Sequence, residues 1–196
     1  MRNKSFDYDF RYLQAGLEGL EDNLLSKEVF WPVNIRPPAG EPGYPELTLG
    51  GLLLSRARLN AFEKSNEQAE QLAKLISSVD VVRSKWRVAW EMKATHNFNL
   101  RLRMWRDYLE EYRHDPQDNA DRYPYEVRLR TMLALLKMEG GGKQAAESEL
   151  LGILDKYLKT ALIKNGFIWE AELQSGFPEN IFWFLYGRLP SLPMNN

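Results

Sequence analysis

With 196 residues and 26 basic against 27 acidic side chains, the chain is nearly neutral and long enough for one domain that buries roughly 70% of its unfolded surface. It contains no cysteine, which excludes disulfides, thiolate nucleophiles, cysteine-ligated zinc and iron–sulfur clusters. No window approaches about 18 uncharged apolar residues, so no membrane partner is expected, and residues 1–30 lack the apolar run and cleavage site of a signal peptide, which points to the cytoplasm.

The first element is a helix. Phe6, Phe10, Leu13, Leu17, Leu20 and Leu24 alternate steps of four and three, which places them on one helical stripe. Ser5 serves as its cap, and Asp7 and Asp9 suit the positive end of its dipole. The chain then changes character over 31–46, where Pro32, Pro37, Pro38, Pro42 and Pro45 make up half of its ten prolines. Proline donates no backbone hydrogen bond and biases its predecessor toward extended geometry. This segment reads as a proline-rich crossover laid over helices and anchored by Trp31 and Tyr44; the alternative is a polyproline ligand for an aromatic-lined recognition domain.

Helical signals resume at Leu47, with Thr48 as a cap and Leu49, Leu52, Leu53, Leu59 and Phe62 on a broad apolar face. Ser65 with Gln68 fits a capping box. Leu72, Leu75, Ile76, Val79, Val82, Trp86, Ala89 and Trp90 hold the next face. The run Thr95-His96-Asn97-Phe98-Asn99 is rich in poor helix formers and is expected to break the helix. Phe98, Leu102, Trp105, Leu109 and Tyr112 then restore a stripe as far as a polar turn over 114–121. A further helix starts near Pro124 with Tyr125, Leu129, Met132, Leu133 and Leu136 inward and ends at Gly140, Gly141 and Gly142, and Ala146, Leu150, Ile153, Leu154, Tyr157, Leu158 and Ala161 define another. Leu100–Arg103 and Val127–Arg130 alternate with period two and could instead pair as a ribbon. The segment 177–196 is an apolar block without a polar face, a pattern found in cores and at interfaces.

Little catalytic chemistry is legible. His96 and His114 would lie about 27 Å apart on one helix and cannot share a metal. Glu111 and His114 match half of a di-iron bundle site, but Lys93 occupies the place where the second half needs a carboxylate. Gly140-Gly141-Gly142-Lys143 lacks the first glycine and the hydroxyl of a phosphate-binding loop, and there is no nucleophile elbow. No metal, cofactor or catalytic residue is assigned.

Composition departs from the ordinary between Arg83 and Arg113, with eight basic residues, four carboxylates and the tryptophans Trp86, Trp90 and Trp105. Helical i,i+4 pairing would neutralise Arg87, Arg103 and Arg106. Arg83, Lys85, Lys93, Arg101 and Arg113 remain as the candidate surface for nucleic acid or another polyanion. The expected fold is an all-α bundle of five or six helices forming a single domain over 1–196. The leading functional expectation is a non-catalytic interaction or assembly domain, with a protein partner or a second copy meeting Phe182, Trp183 and Tyr186. Rival expectations are polyanion binding through 83–113 and a small-molecule or enzymatic site between helices, at a place that spacing cannot specify.

Overall fold

The computed structural model describes residues 6–37 and 39–191; the expected cap Ser5, Pro38 and the last five residues of the tail lie outside them. The protein is predominantly helical. Its elements are α1 (Phe6–Glu18), α2 (Leu20–Leu25), α3 (Leu49–Ala61), α4 (Asn66–Lys85), α5 (Arg87–His114), α6 (Pro116–Asn119), α7 (Tyr123–Met138), α8 (Ala145–Ala161) and α9 (Glu179–Phe182), joined by short 3₁₀ turns. The two strands, β1 (Ile163–Lys164) and β2 (Gly187–Arg188), form one antiparallel pair.

The helix-start chemistry is realised as the side chains dictate. Thr48 accepts a hydrogen bond from the Gly51 amide at the head of α3, and Ser65 and Gln68 close a reciprocal capping box on α4. These contacts satisfy amide groups that have no partner inside a helix. At the other end of α7, Gly140 and Gly142 adopt φ of 95° and 66°, a conformation that other residues enter only with strain.

Three local expectations are revised. The break expected at residues 95–99 is absent: α5 runs unbroken through them, and the chain bends at Trp86 instead. The poor helix formers are held by tertiary contacts. Asn97 is fully buried, accepts from the Gly50 amide and donates to the Lys93 carbonyl, while Thr95 bonds back to Glu91. Both Leu-Arg-Leu-Arg segments lie inside helices α5 and α7, so no ribbon forms from them. The first stripe is interrupted at Gly19, between α1 and α2.

Helix α5, about 42 Å long at 1.5 Å per residue, packs along α7, and α3 packs against α1, α5 and α7. Trp90, Phe98 and Trp105 along α5 are almost completely buried, and each such side chain contributes on the order of 1.5–3 kcal/mol. The crossover is pinned at both ends by an antiparallel bridge in which Trp31 and Leu47 exchange backbone hydrogen bonds of 2.9 and 2.7 Å. The tail folds back on the bundle. Tyr123 donates to the Phe184 carbonyl at 2.6 Å and Tyr112 to the Pro190 carbonyl at 3.0 Å, with Phe177, Phe184 and Leu185 fully buried.

Candidate functional site

Between α1, the crossover, α3, α5 and α7 lies a cavity of about 840 Å³. Its formation starts from the Pro-rich segment, which cannot pair continuously with a neighbour and so arches over the helices between its Trp31–Leu47 clasp. The crossover is tied to α1 by two tyrosines: Tyr12 donates to the Glu46 carbonyl at 3.1 Å and Tyr8 to the Gly43 carbonyl at 3.3 Å. Close approach of Tyr12 to α3 requires glycine at position 51, where a Cβ would stand 2.9 Å from the tyrosine oxygen.

Two polar clusters converge on this space. In the first, Asp9 accepts from Ser55 Oγ at 3.2 Å and from Arg58 Nε at 2.8 Å, and Arg58 reaches Glu170 at 3.5 Å. Asp9 stands in the first turn of α1 as expected, and both it and Arg58 are buried. A buried charge of this kind needs a partner, and Arg58 supplies it through charge-assisted bonds.

The second cluster is basic. Arg101, 7% exposed, donates to Thr48 Oγ1 at 3.0 Å and lies 3.3 Å from the Met104 sulfur; its Nε has no hydrogen-bond partner. Arg128, on α7, stacks on the Tyr125 ring at 3.5 Å and sits 3.6 Å from Glu126. Burial lowers the pKa of both guanidinium groups, and the Arg128 charge lowers that of Arg101 further; arginine remains protonated at neutral pH all the same. On the crossover side, the Tyr8 hydroxyl is pushed up to about 12, first by burial and then by the Tyr44, Asp9 and Glu41 charges, with Arg58 opposing. Burial also raises Tyr12, so both are neutral hydrogen-bonding groups at physiological pH.

A second hollow of about 740 Å³ adjoins Phe30 and is lined by His96, Asn99, Arg103 and Glu147. Glu147 is buried and its Oε2 has no hydrogen-bond partner. Among the described residues no group of three His, Asp or Glu side chains is placed to hold a metal ion.

The residues singled out in the sequence are distributed as follows. Arg83 pairs with Glu139 at 2.6 Å and Lys85 with Glu21 at 3.0 Å. Lys93 is buried, its ammonium donating to the Ser26 and Glu28 carbonyls at 3.0 and 2.7 Å, and Arg101 is enclosed at the cavity. Arg113 alone of the five is exposed with no ion pair among the described residues. The five therefore do not share one exposed face, because the helical rotation that puts some of them outward turns Lys93 and Arg101 toward the core. The expected Arg103–Asp107 pair is also replaced, Asp107 bonding to Arg106 at 2.7 Å. In the tail, Phe182 is closed within the chain. Trp183 packs edge-on against Phe184 beneath Lys159, and Tyr186 donates to the Phe177 carbonyl at 2.8 Å; both keep a partly exposed edge.

Ser55, Arg58 and Glu170 carry no signal in the sequence, and Asp9 is legible there only as an acid at a helix start; together with Arg128 they converge from four separate segments. A usable signal was present in two places. Tyr8, Tyr12 and Gly16 recur every four residues beside the apolar stripe of α1 and mark a second buried face. Arg101 follows Asn97 and Phe98 by four and three residues, inside the inward-facing sector of α5.

In comparisons with known proteins the chain matches no family model, no curated protein and no solved structure.

Proposed function

We propose that the protein binds a small organic molecule in the cavity beneath the proline-rich crossover. The observation that carries this reading is the convergence of buried polar groups, Arg101, Thr48, Tyr12, Ser55 and Arg58, on one space with Phe30, Met104 and Met132 in its wall. A volume of about 840 Å³ falls in the range of small-molecule sites, which combine an apolar lining with a few placed polar groups.

The test uses a block at the rim. A Cβ at Gly43 meets nothing within 4 Å, so Gly43→Trp projects a large ring at the cavity edge without displacing the core. Amide chemical shifts are followed while small aromatic acids, alcohols and amines are added at millimolar concentration. Shifts concentrated at Thr48, Ser55 and Tyr125, and abolished in Gly43→Trp, are expected. Binding that ignores the substitution, or no shift with any compound, would overturn the proposal.

An interaction or assembly role is the second reading. It is favoured by Val88 and Met92, which stand one helical turn apart on α5 at 74% and 58% exposure. Exposed apolar neighbours on one face favour association. Light scattering decides it: a dimer dissociated by Val88→Asp supports this reading, and a monomer at high concentration removes it for self-assembly.

A further inference from the structure

We propose that the basic end of the cavity, formed by Arg101 and Arg128, is a subsite for the oxyanion of an aromatic or apolar small molecule, a carboxylate or a phosphate monoester. The inference rests on the reading of the cavity as a ligand site and adds the charge class of the ligand.

The argument begins with the donors of Arg101. A guanidinium carries five N–H groups in a rigid fork, and burial removes water as a partner. Here Arg101 as a whole residue is only 7% exposed. Yet among the described residues Thr48 Oγ1 is its only strong acceptor. A second arm faces the thioether of Met104, a weak acceptor, and Nε faces none. No carboxylate pairs with Arg101 among the described residues. The contrast with Arg58 across the same cavity is direct: Arg58 has Asp9 at 2.8 Å and Glu170 at 3.5 Å. Arg58 too keeps one nitrogen, Nη2, without a hydrogen-bond partner, so the difference is one of charge: two carboxylates offset Arg58, and none among the described residues offsets Arg101.

Several neighbours reinforce the choice of an anion. Arg128, which also lines the cavity, adds a second positive charge that acts on Arg101; it donates to the Tyr125 carbonyl at 3.2 Å and forms an ion pair with Glu126 at 3.6 Å, longer than a good hydrogen bond. Thr48 is the cap of α3, so the positive end of that helix dipole points toward the same region. The amides of Gly50 and Gly51 are already engaged by Asn97 and Thr48, which leaves the guanidinium groups as the donors for an incoming oxyanion. Phe30 lies 5.7 Å from the Arg101 guanidinium and Tyr125 lies against Arg128. Aromatic faces beside the cationic groups suit a ligand whose charged end adjoins a flat or apolar body.

The test compares three ligands with one body: naphthyl phosphate, naphthoate and neutral naphthol, titrated calorimetrically into wild type, Arg101→Met, Arg128→Met and Gly43→Trp. In wild type at least one anion is expected to bind roughly tenfold or more tightly than naphthol, the scale of one charge-assisted contact. A stronger phosphate identifies a phosphate monoester as the ligand class, and a stronger naphthoate identifies a carboxylate. Arg101→Met should erase the preference while naphthol binding survives, and Arg128→Met should reduce it. Arg101→Met should also melt no lower than wild type, because methionine removes an uncompensated buried charge. Naphthol binding as tightly as both anions, with all three lost in Gly43→Trp, overturns the oxyanion subsite and leaves the ligand cavity standing. Absence of binding by all three, or binding untouched by Gly43→Trp, overturns the cavity reading as well. A marked drop in the melting temperature of Arg101→Met would make its charge structural. Anion preference in Arg128→Met then decides the matter, and an unchanged preference overturns the subsite.

Discussion

Replacing Arg58 by methionine tests whether the acidic side of the cavity is held by its central guanidinium. The Arg58 and Asp9 side chains are 8% and 3% exposed and meet at 2.8 Å, and Glu170, 10% exposed, is the third member. Methionine keeps the aliphatic volume and removes the positive charge, leaving two carboxylates without it in a site that water hardly reaches. Removing one partner of such a buried pair costs about 3–5 kcal/mol, because the remaining charge is desolvated and uncompensated. For a domain of this length each kcal/mol lowers the melting temperature by about 2–4 °C, so the expected drop is about 6–20 °C. Urea unfolding followed by tryptophan fluorescence gives the free energy and calorimetry the melting temperature. The double variant Asp9→Leu/Arg58→Met should be less damaged than the sum of the two single variants, since an apolar pair removes both charges together. Recovery should be incomplete because Glu170 stays behind. A loss under about 1 kcal/mol for Arg58→Met, or strict additivity in the double variant, would refute the claim that this pair acts as a buried unit.

The Asn97→Ala variant should lose about 1–3 kcal/mol, measured by urea unfolding, because the buried Gly50 amide and Lys93 carbonyl lose their side-chain partner; a neutral effect would mean that α5 needs no tertiary help across residues 95–99. Gly142→Ala should destabilise by at least about 1 kcal/mol, because its φ of 66° disfavours a side chain and the new Cβ would stand 2.6 Å from the Phe98 ring; equal denaturation midpoints would contradict it. Alkaline stability should fall steeply above pH 10. The unfolded chain ionises its tyrosines near 10, whereas Tyr8 holds its proton to about 12 and burial raises Tyr12 and Tyr123 as well, so stability present below pH 10 is lost as pH rises toward the folded-state values. Tyrosinate absorbance and chemical unfolding measured in parallel check this, and a single titration of all tyrosines near pH 10 in the folded protein would exclude it.

Local chemistry was legible in the residues wherever a short segment settles its own structure. The stripe of α4, the Thr48 cap, the Ser65–Gln68 capping box and the glycine stop after α7 all depend on partners within four residues, so their spacing carries the information. Tyr125 on α7, expected inward, and Ile153 on α8 are instead 51% and 55% exposed while Leu151 is buried, because neighbouring elements decide which face of a helix is covered. Absence of cysteine and of a long apolar helix was equally plain. Residues 95–99 show where that logic ends, since Asn97 is a poor helix former alone and a helix stabiliser once the Gly50 amide arrives from 47 positions away. The charged band shows it again. Helical rotation and the packing of α5 turned Lys93 and Arg101 inward while Arg113 stayed in solvent, and no composition count distinguishes those outcomes. The cavity belongs wholly to the tertiary level: Asp9, Thr48, Arg58, Arg101, Arg128 and Glu170 are scattered over more than 160 residues, and only the packing of α1, α3, α5 and α7 beneath the crossover brings their side chains to one place. Periodicity along a chain encodes which way a side chain faces from its own helix; which distant charge it then meets is a property of the packed bundle.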